Sequence, residues 1–88
     1  MNISGLALKL LIYMVLDEHE ITREKLLRKF SESSYDVNKA LDELLDKKLI
    51  TPQKVYEDLS HYWIYVVTIT GRSYLRHLGE QLRDIHLP

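Results

Sequence analysis

The run His61-Tyr62-Trp63-Ile64-Tyr65-Val66-Val67-Thr68-Ile69-Thr70 is almost entirely aromatic or β-branched. Side chains of that shape favour a pleated, extended backbone, and no other segment constrains the fold as strongly. Trp63, Tyr65, Val67 and Ile69 share one face of such a strand, and Tyr62, Ile64 and Val66 the other. A strand needs a partner for its backbone groups. The segment Lys54-Val55-Tyr56, just upstream, supplies one. Glu57-Asp58-Leu59-Ser60 then falls near the turn of a hairpin over about 52–69. Pro52 cannot continue a helix and pushes Thr51 toward an extended conformation.

The segments before this hairpin have helical periodicity. Ile3, Leu6, Ala7, Leu10, Leu11, Met14 and Val15 recur on one face of a helix expected over 3–17. Leu8, Ile12 and Leu16 form a second apolar stripe beside the first, and so wide a surface must be covered on more than one side. Asp17-Glu18-His19-Glu20 breaks the pattern. Thr22 has the chemistry of an N-cap, and Ile21 with Leu26 that of a hydrophobic staple, for a second helix to about Phe30. A polar turn, Ser31-Glu32-Ser33-Ser34, leads to a third helix expected over 34–48. Ser33 and Asp36 resemble a capping box with Asp in place of Glu or Gln. The inner face of this helix is assigned to Val37, Ala40, Leu41, Leu44 and Lys48, with Leu45 at its edge. After the hairpin, Thr70 can cap a last helix from about 71. Its Leu75, Leu78, Leu82 and Ile85 are spaced 3, 4, 3 as a seam, and Gly79 lies inside it.

At 88 residues the chain is expected to form one domain, 1–88, with 71–88 as a dimerisation helix. The absence of cysteine excludes disulfides, thiolate metal sites and cysteine nucleophiles, and fits a reducing, cytoplasmic setting. The apolar stretch Leu6–Leu16 contains Lys9, follows no basic segment, and is shorter than the roughly 20 residues a membrane span needs. Neither a signal peptide nor a membrane association is therefore expected. No phosphate-binding glycine loop, zinc-protease motif or nucleophile motif occurs, so no enzymatic activity or cofactor is expected. His19, His61, His77 and His86 lack the i, i+4 spacing of a helical metal site. No small-molecule effector is evident.

The order of elements is helix, helix, helix, hairpin, helix, with a short polar turn between the second and third as in a helix-turn-helix. Leu44-Leu45-Asp46-Lys47-Lys48-Leu49-Ile50 resembles the L-x-x-x-x-L-I exit of a recognition helix into a wing. Tyr65-Val66-Val67-Thr68-Ile69-Thr70-Gly71 followed by Leu75 resembles the Y-x-[LV]-T-x-x-G-x-x-x-L end of a wing in the PadR and MarR groups of winged-helix regulators. It is similar also to small winged-helix proteins of archaea, their viruses and plasmids. The resemblance implies an α+β fold, a winged helix-turn-helix with three helices, a β-hairpin wing and a C-terminal helix. It further implies a DNA-binding regulator, usually a homodimer, without enzymatic activity. The motif itself is structural: Gly71 removes a side chain where strand and helix meet closely, and Leu75 anchors the last helix.

On that reading the third helix offers Ser33, Ser34, Tyr35, Asn38 and Lys39 to base edges in the major groove. Asp42, Glu43 and Asp46 farther along oppose it, and the competing reading is a solvated face. In the second helix Arg23, Lys25, Arg28 and Lys29 against Glu24 leave a charge of +3 over residues 22–30. Arg23, Arg28 and Lys29 are thus candidates for phosphate contacts. Lys54 is the one basic residue of the wing, where Glu57 and Asp58 are acidic. A wing that grips the minor groove usually carries Arg or Lys. Together with the net charge of −1, this keeps open a winged helix used as a protein–protein module. Tyr62, Trp63 and Tyr65 could stack bases, against the plainer reading of core and cross-strand packing. Leu8, Ile12, Leu16, Leu78, Leu82 and Ile85 are the candidates for a homodimer interface.

Overall fold

A computed structural model describes residues 2–17 and 20–85, with side chains to Arg83. The elements run α1 (Gly5–Leu16), β1 (Glu20–Ile21), α2 (Arg23–Lys29), α3 (Ser34–Asp46), β2 (Ile50–Glu57), β3 (Ser60–Val67) and α4 (Ile69–Ile85). Over the described residues the fold is α+β, with four helices and one antiparallel sheet of strand order β1-β3-β2.

The helix starts are set by side-chain oxygens accepting from free backbone N–H groups. Ser4 Oγ accepts from Ala7 N at 3.1 Å, and the Ser4 N–H donates to Glu43 Oε2 of α3 at 2.9 Å. Thr22 Oγ1 accepts from Lys25 N at 3.2 Å, as expected, and Ile21 and Leu26 are both buried. Ser33 Oγ accepts from Asp36 N at 3.1 Å, while its hydroxyl donates to the Asp36 carboxylate at 2.9 Å.

The end of α3 departs from expectation. The helix stops at Asp46, and Lys48 adopts φ 59°. Lys48 N then donates to Leu45 O at 3.0 Å and Leu49 N to Leu44 O at 2.9 Å. These are the two bonds of a Schellman stop, here with Lys where glycine is usual. Lys48 therefore does not line the inner face of α3; it is exposed beyond the helix end. Val37, Ala40, Leu41 and Leu44 are buried as assigned, and Leu45 is half-buried. Pro52 ends no helix. It lies within β2, an edge strand, where its missing N–H is tolerated.

The cap of α4 also moves. Thr68, not Thr70, is the capping residue: its Oγ1 accepts from Gly71 N at 3.0 Å and donates to the carbonyls of Lys48 and Leu49. Ile69 accordingly belongs to the helix and is exposed, rather than continuing the strand face. Gly71 is the close approach anticipated, since a Cβ there would overlap the Leu49 carbonyl oxygen.

β1 was not expected. Glu20 and Ile21 pair with Val66 and Tyr65, adding a third strand on the far side of β3 from β2. Beyond that point only the hairpin continues, with Lys54 opposite Trp63, Tyr56 opposite His61, and a two-residue turn at Asp58-Leu59. The core draws Leu10, Leu11 and Met14 from α1, Leu41 and Leu44 from α3, and Ile50, Tyr65 and Val67 from the base of the sheet. The outer half of the hairpin stands clear as an arm. Tyr62 and Trp63 are exposed there, so the core reading holds for Tyr65 alone. No helix among the described residues is long and apolar enough to cross a membrane.

Candidate nucleic-acid interface

The cap at Thr22 puts Arg23 in the first turn of α2, where its side chain reaches both α3 and β3. Its Nε donates to the Tyr65 hydroxyl at 2.9 Å, an Nη2 hydrogen goes to the same oxygen, and Nη1 donates to Asn38 Oδ1 at 2.9 Å. One guanidinium thus ties α2 and α3 to the base of the arm. Its acceptors are neutral. Among the described residues no carboxylate lies within ion-pair distance of it, so its charge is directed but not cancelled. Arg23 and Asn38 were expected to contact phosphate and base separately. The structure brings them together, and Asn38 spends its carbonyl oxygen on the arginine.

The other expected contacts divide. Ser34 and Tyr35 are exposed on the first turn of α3, Tyr35 at 72%. Ser33 is occupied as the cap, and Arg28 is exposed near the end of α2. Lys29 turns toward α1, its ammonium 5.5 Å from the Tyr13 ring centroid. Lys39 lines a shallow depression with Glu32, Asp36 and Glu43, an acidic neighbourhood. On the arm, Lys54 lies 5.4 Å from the Trp63 centroid and 5.7 Å from that of Tyr56, so its charge is stacked on rings. A cleft of about 340 Å³ separates the arm from the start of α2, lined by Thr22, Arg23, Glu24, Tyr62, Trp63 and Tyr65.

Sequence reasoning missed the role of the Tyr65 hydroxyl. The signal was faint: a buried tyrosine needs a partner for its hydroxyl, but nothing in the linear order names Arg23, 42 residues away. It also missed the ion pair of Lys9 with Glu32 at 2.9 Å. That hydrogen bond holds the Glu32 carboxyl below its ordinary value of 4.5, helped by the residue's own backbone N–H. No group of three or more His, Asp or Glu able to hold a metal occurs among the described residues. His61 lies beside the Tyr56 ring and His77 is 3.8 Å from Glu80, while His19 and His86 fall outside the described residues.

The residues expected at a dimer seam line a separate surface. Ile12 and Leu16 of α1 face Leu78 and Leu82 of α4 across an apolar groove of about 510 Å³. Leu8 is half-buried and does not line the groove, and the Ile85 side chain lies outside the described residues. Comparison of the chain with protein-family models, with characterised proteins and with solved structures found no match.

Proposed function

We propose that the chain is a winged-helix domain that binds duplex DNA as a transcriptional regulator, with α3 as the recognition helix and the β2–β3 arm as the wing. The observation that carries this reading is the Arg23 brace. It fixes α2, α3 and the arm as one unit and leaves an uncancelled positive charge beside the exposed first turn of α3. A preoriented charge next to small and aromatic polar side chains is the arrangement a helix uses to enter a groove between phosphates. Ser34 and Tyr35 then meet base edges together with the amide nitrogen of Asn38. Arg23 and Arg28 meet phosphates. Lys29 and Lys39, turned aside, contribute long-range attraction rather than direct contacts.

The test is binding to random duplex DNA at about 50 and 200 mM salt. Wild-type protein should bind more weakly at high salt, and Arg28→Ala should flatten the slope by about 1. Asn38→Ala should cost roughly 1–3 kcal/mol at a preferred site. A second reading, a protein-binding winged helix, is favoured by the arm itself. Its tip carries Glu57, Asp58 and a fully exposed Leu59, and Tyr56 and Trp63 stand on its face. No duplex binding at low salt would leave that reading in its place.

A further inference from the structure

Pro52 fixes the phase of the sheet. It has no N–H to donate and lies opposite Tyr65, so the two form a non-hydrogen-bonded pair of the β2–β3 ladder. The backbone groups of Tyr65 therefore point away from β2, toward Ile21 of β1. Ladder bonds alternate along an antiparallel pair, so Trp63 and His61 also aim their N–H and C=O groups away from β2. Among the described residues β1 ends at Ile21, and no strand pairs with β3 on that side between Tyr65 and the tip of the arm. There lies the cleft bounded by Thr22, Arg23 and Glu24. Tyr62 and Trp63 are consecutive, and so stand on opposite faces of the sheet, yet both line it. The cleft thus runs along the edge of β3 and not over one face.

The two sides of the arm differ. The β2 side carries Pro52 and Lys54, residue types that discourage an added strand. The β3 side carries His61, Tyr62 and Trp63, with no proline or lysine among them. We propose that this open edge of β3 accepts an extended peptide segment of a partner protein, which continues the ladder that β1 begins. An antiparallel segment exchanges two hydrogen bonds with Trp63 and two with His61. The residue opposite Trp63 shares its face and covers a ring that is 54% exposed, so an apolar side chain fits that position. Arg23 and Glu24 set one charge of each sign on the far wall, and the cleft therefore selects no net charge. A nucleic-acid strand lacks the alternating donors and acceptors that this edge matches, and Glu57 and Asp58 at the tip repel phosphate. The site rests on the protein-binding reading of the arm. It uses neither Ser34, Tyr35 nor Arg28, so the duplex-binding test decides nothing about it.

The experiment uses the full chain and a capped hexapeptide alternating valine and threonine. Trp63 is the one tryptophan of the sequence, so its fluorescence reports the site directly. In the free chain the amides of His61 and Trp63 should exchange with solvent deuterium faster than those of Tyr62 and Ile64, which point to β2. The reverse pattern overturns the proposal. The peptide should shift Trp63 emission to shorter wavelength with a midpoint below about 1 mM, and should slow exchange at the Trp63 amide. His61→Pro removes only an outward N–H, as Pro52 does on the other side, and should weaken the peptide roughly 10-fold with circular dichroism unchanged. His61→Ala keeps that N–H and should bind as wild type does. The same peptide N-methylated at every residue has no N–H to donate and should not bind wild-type protein, a control that does not depend on how any variant folds. No change in Trp63 emission up to millimolar peptide overturns the proposal, and quenching by oligothymidine in its place would give the arm to stacked bases. Equal binding of the methylated peptide, or equal binding to a folded His61→Pro, overturns the edge pairing. Protection of the Trp63 amide that grows with protein concentration in the absence of peptide overturns it too, by putting another copy of the chain on the edge.

Discussion

Gly71→Ala should destabilise the fold severely although it places alanine, a better helix former, in a helix. The added Cβ would overlap the Leu49 carbonyl oxygen and stand 2.9 Å from Val67 Cγ1. That oxygen cannot retreat freely. It accepts from the Thr68 N–H at 3.0 Å and from the Thr68 hydroxyl at 3.0 Å, the bonds that join the exit of α3 to the start of α4. Overpacking of this kind costs about 1–3 kcal/mol. Disturbing the two hydrogen bonds adds roughly 1–3 kcal/mol, and the helix propensity of alanine returns at most about 1 kcal/mol. The net loss is centred near 3 kcal/mol, a large part of the roughly 5–15 kcal/mol typical of a domain. For a chain of this size that corresponds to a fall in Tm on the order of 10–20 °C. The assay is thermal and urea unfolding followed by circular dichroism. All variants are compared at one protein concentration, because association would raise apparent stability. Gly5→Ala, where a Cβ meets nothing within 4 Å, serves as the control and should change stability by less than about 1 kcal/mol. A Gly71→Ala variant within about 0.5 kcal/mol of wild type, inside the range of ordinary surface substitutions, would refute the close-approach argument.

Lys48→Gly should raise stability by up to about 1 kcal/mol, seen as a higher urea midpoint, because Lys48 holds φ 59° where glycine meets no steric cost. Tyr65→Phe removes the hydroxyl that accepts from Arg23 and should cost roughly 1–2 kcal/mol by urea unfolding. If the brace orients α3, the same variant should also weaken duplex binding. Thr68→Ala should cost about 1–2 kcal/mol through the lost cap of α4, whereas Thr70→Ala should be close to neutral in the same assay. The Glu32 carboxyl is held below 4.5 in the folded chain by the Lys9 ammonium. Its contribution to stability is therefore complete above that value and disappears as pH falls through the lower folded value. In Lys9→Ala the Glu32 titration, followed by carboxyl carbon NMR, should move up toward 4.5.

Local chemistry made much of this protein legible in its linear order. The threonine at 22 and the serine at 33 cap the helices they precede, because a capping bond spans only three residues. The buried face of α3 from Val37 to Leu44 follows from periodicity, though not Lys48 beyond the helix end, and the hairpin follows from a run of aromatic and β-branched side chains. Glycine at 71 marked a close approach before its neighbour was known. Only the tertiary structure decided the rest. β1 is two residues long, too short for any pattern, and exists because β3 offers it an open edge. Thr68 rather than Thr70 caps α4 because the Leu49 carbonyl waits for its hydroxyl after α3 turns back at Lys48. The exposure of Trp63 and the burial of Tyr65, two residues apart on one strand face, depend on where the body of the domain ends. The candidate site shows the same division. Its basic residues could be counted from the sequence, but charge is useful only in a direction. Packing turned Lys29 toward Tyr13 and set Lys39 among carboxylates, while Tyr65, distant in sequence, held Arg23 in place.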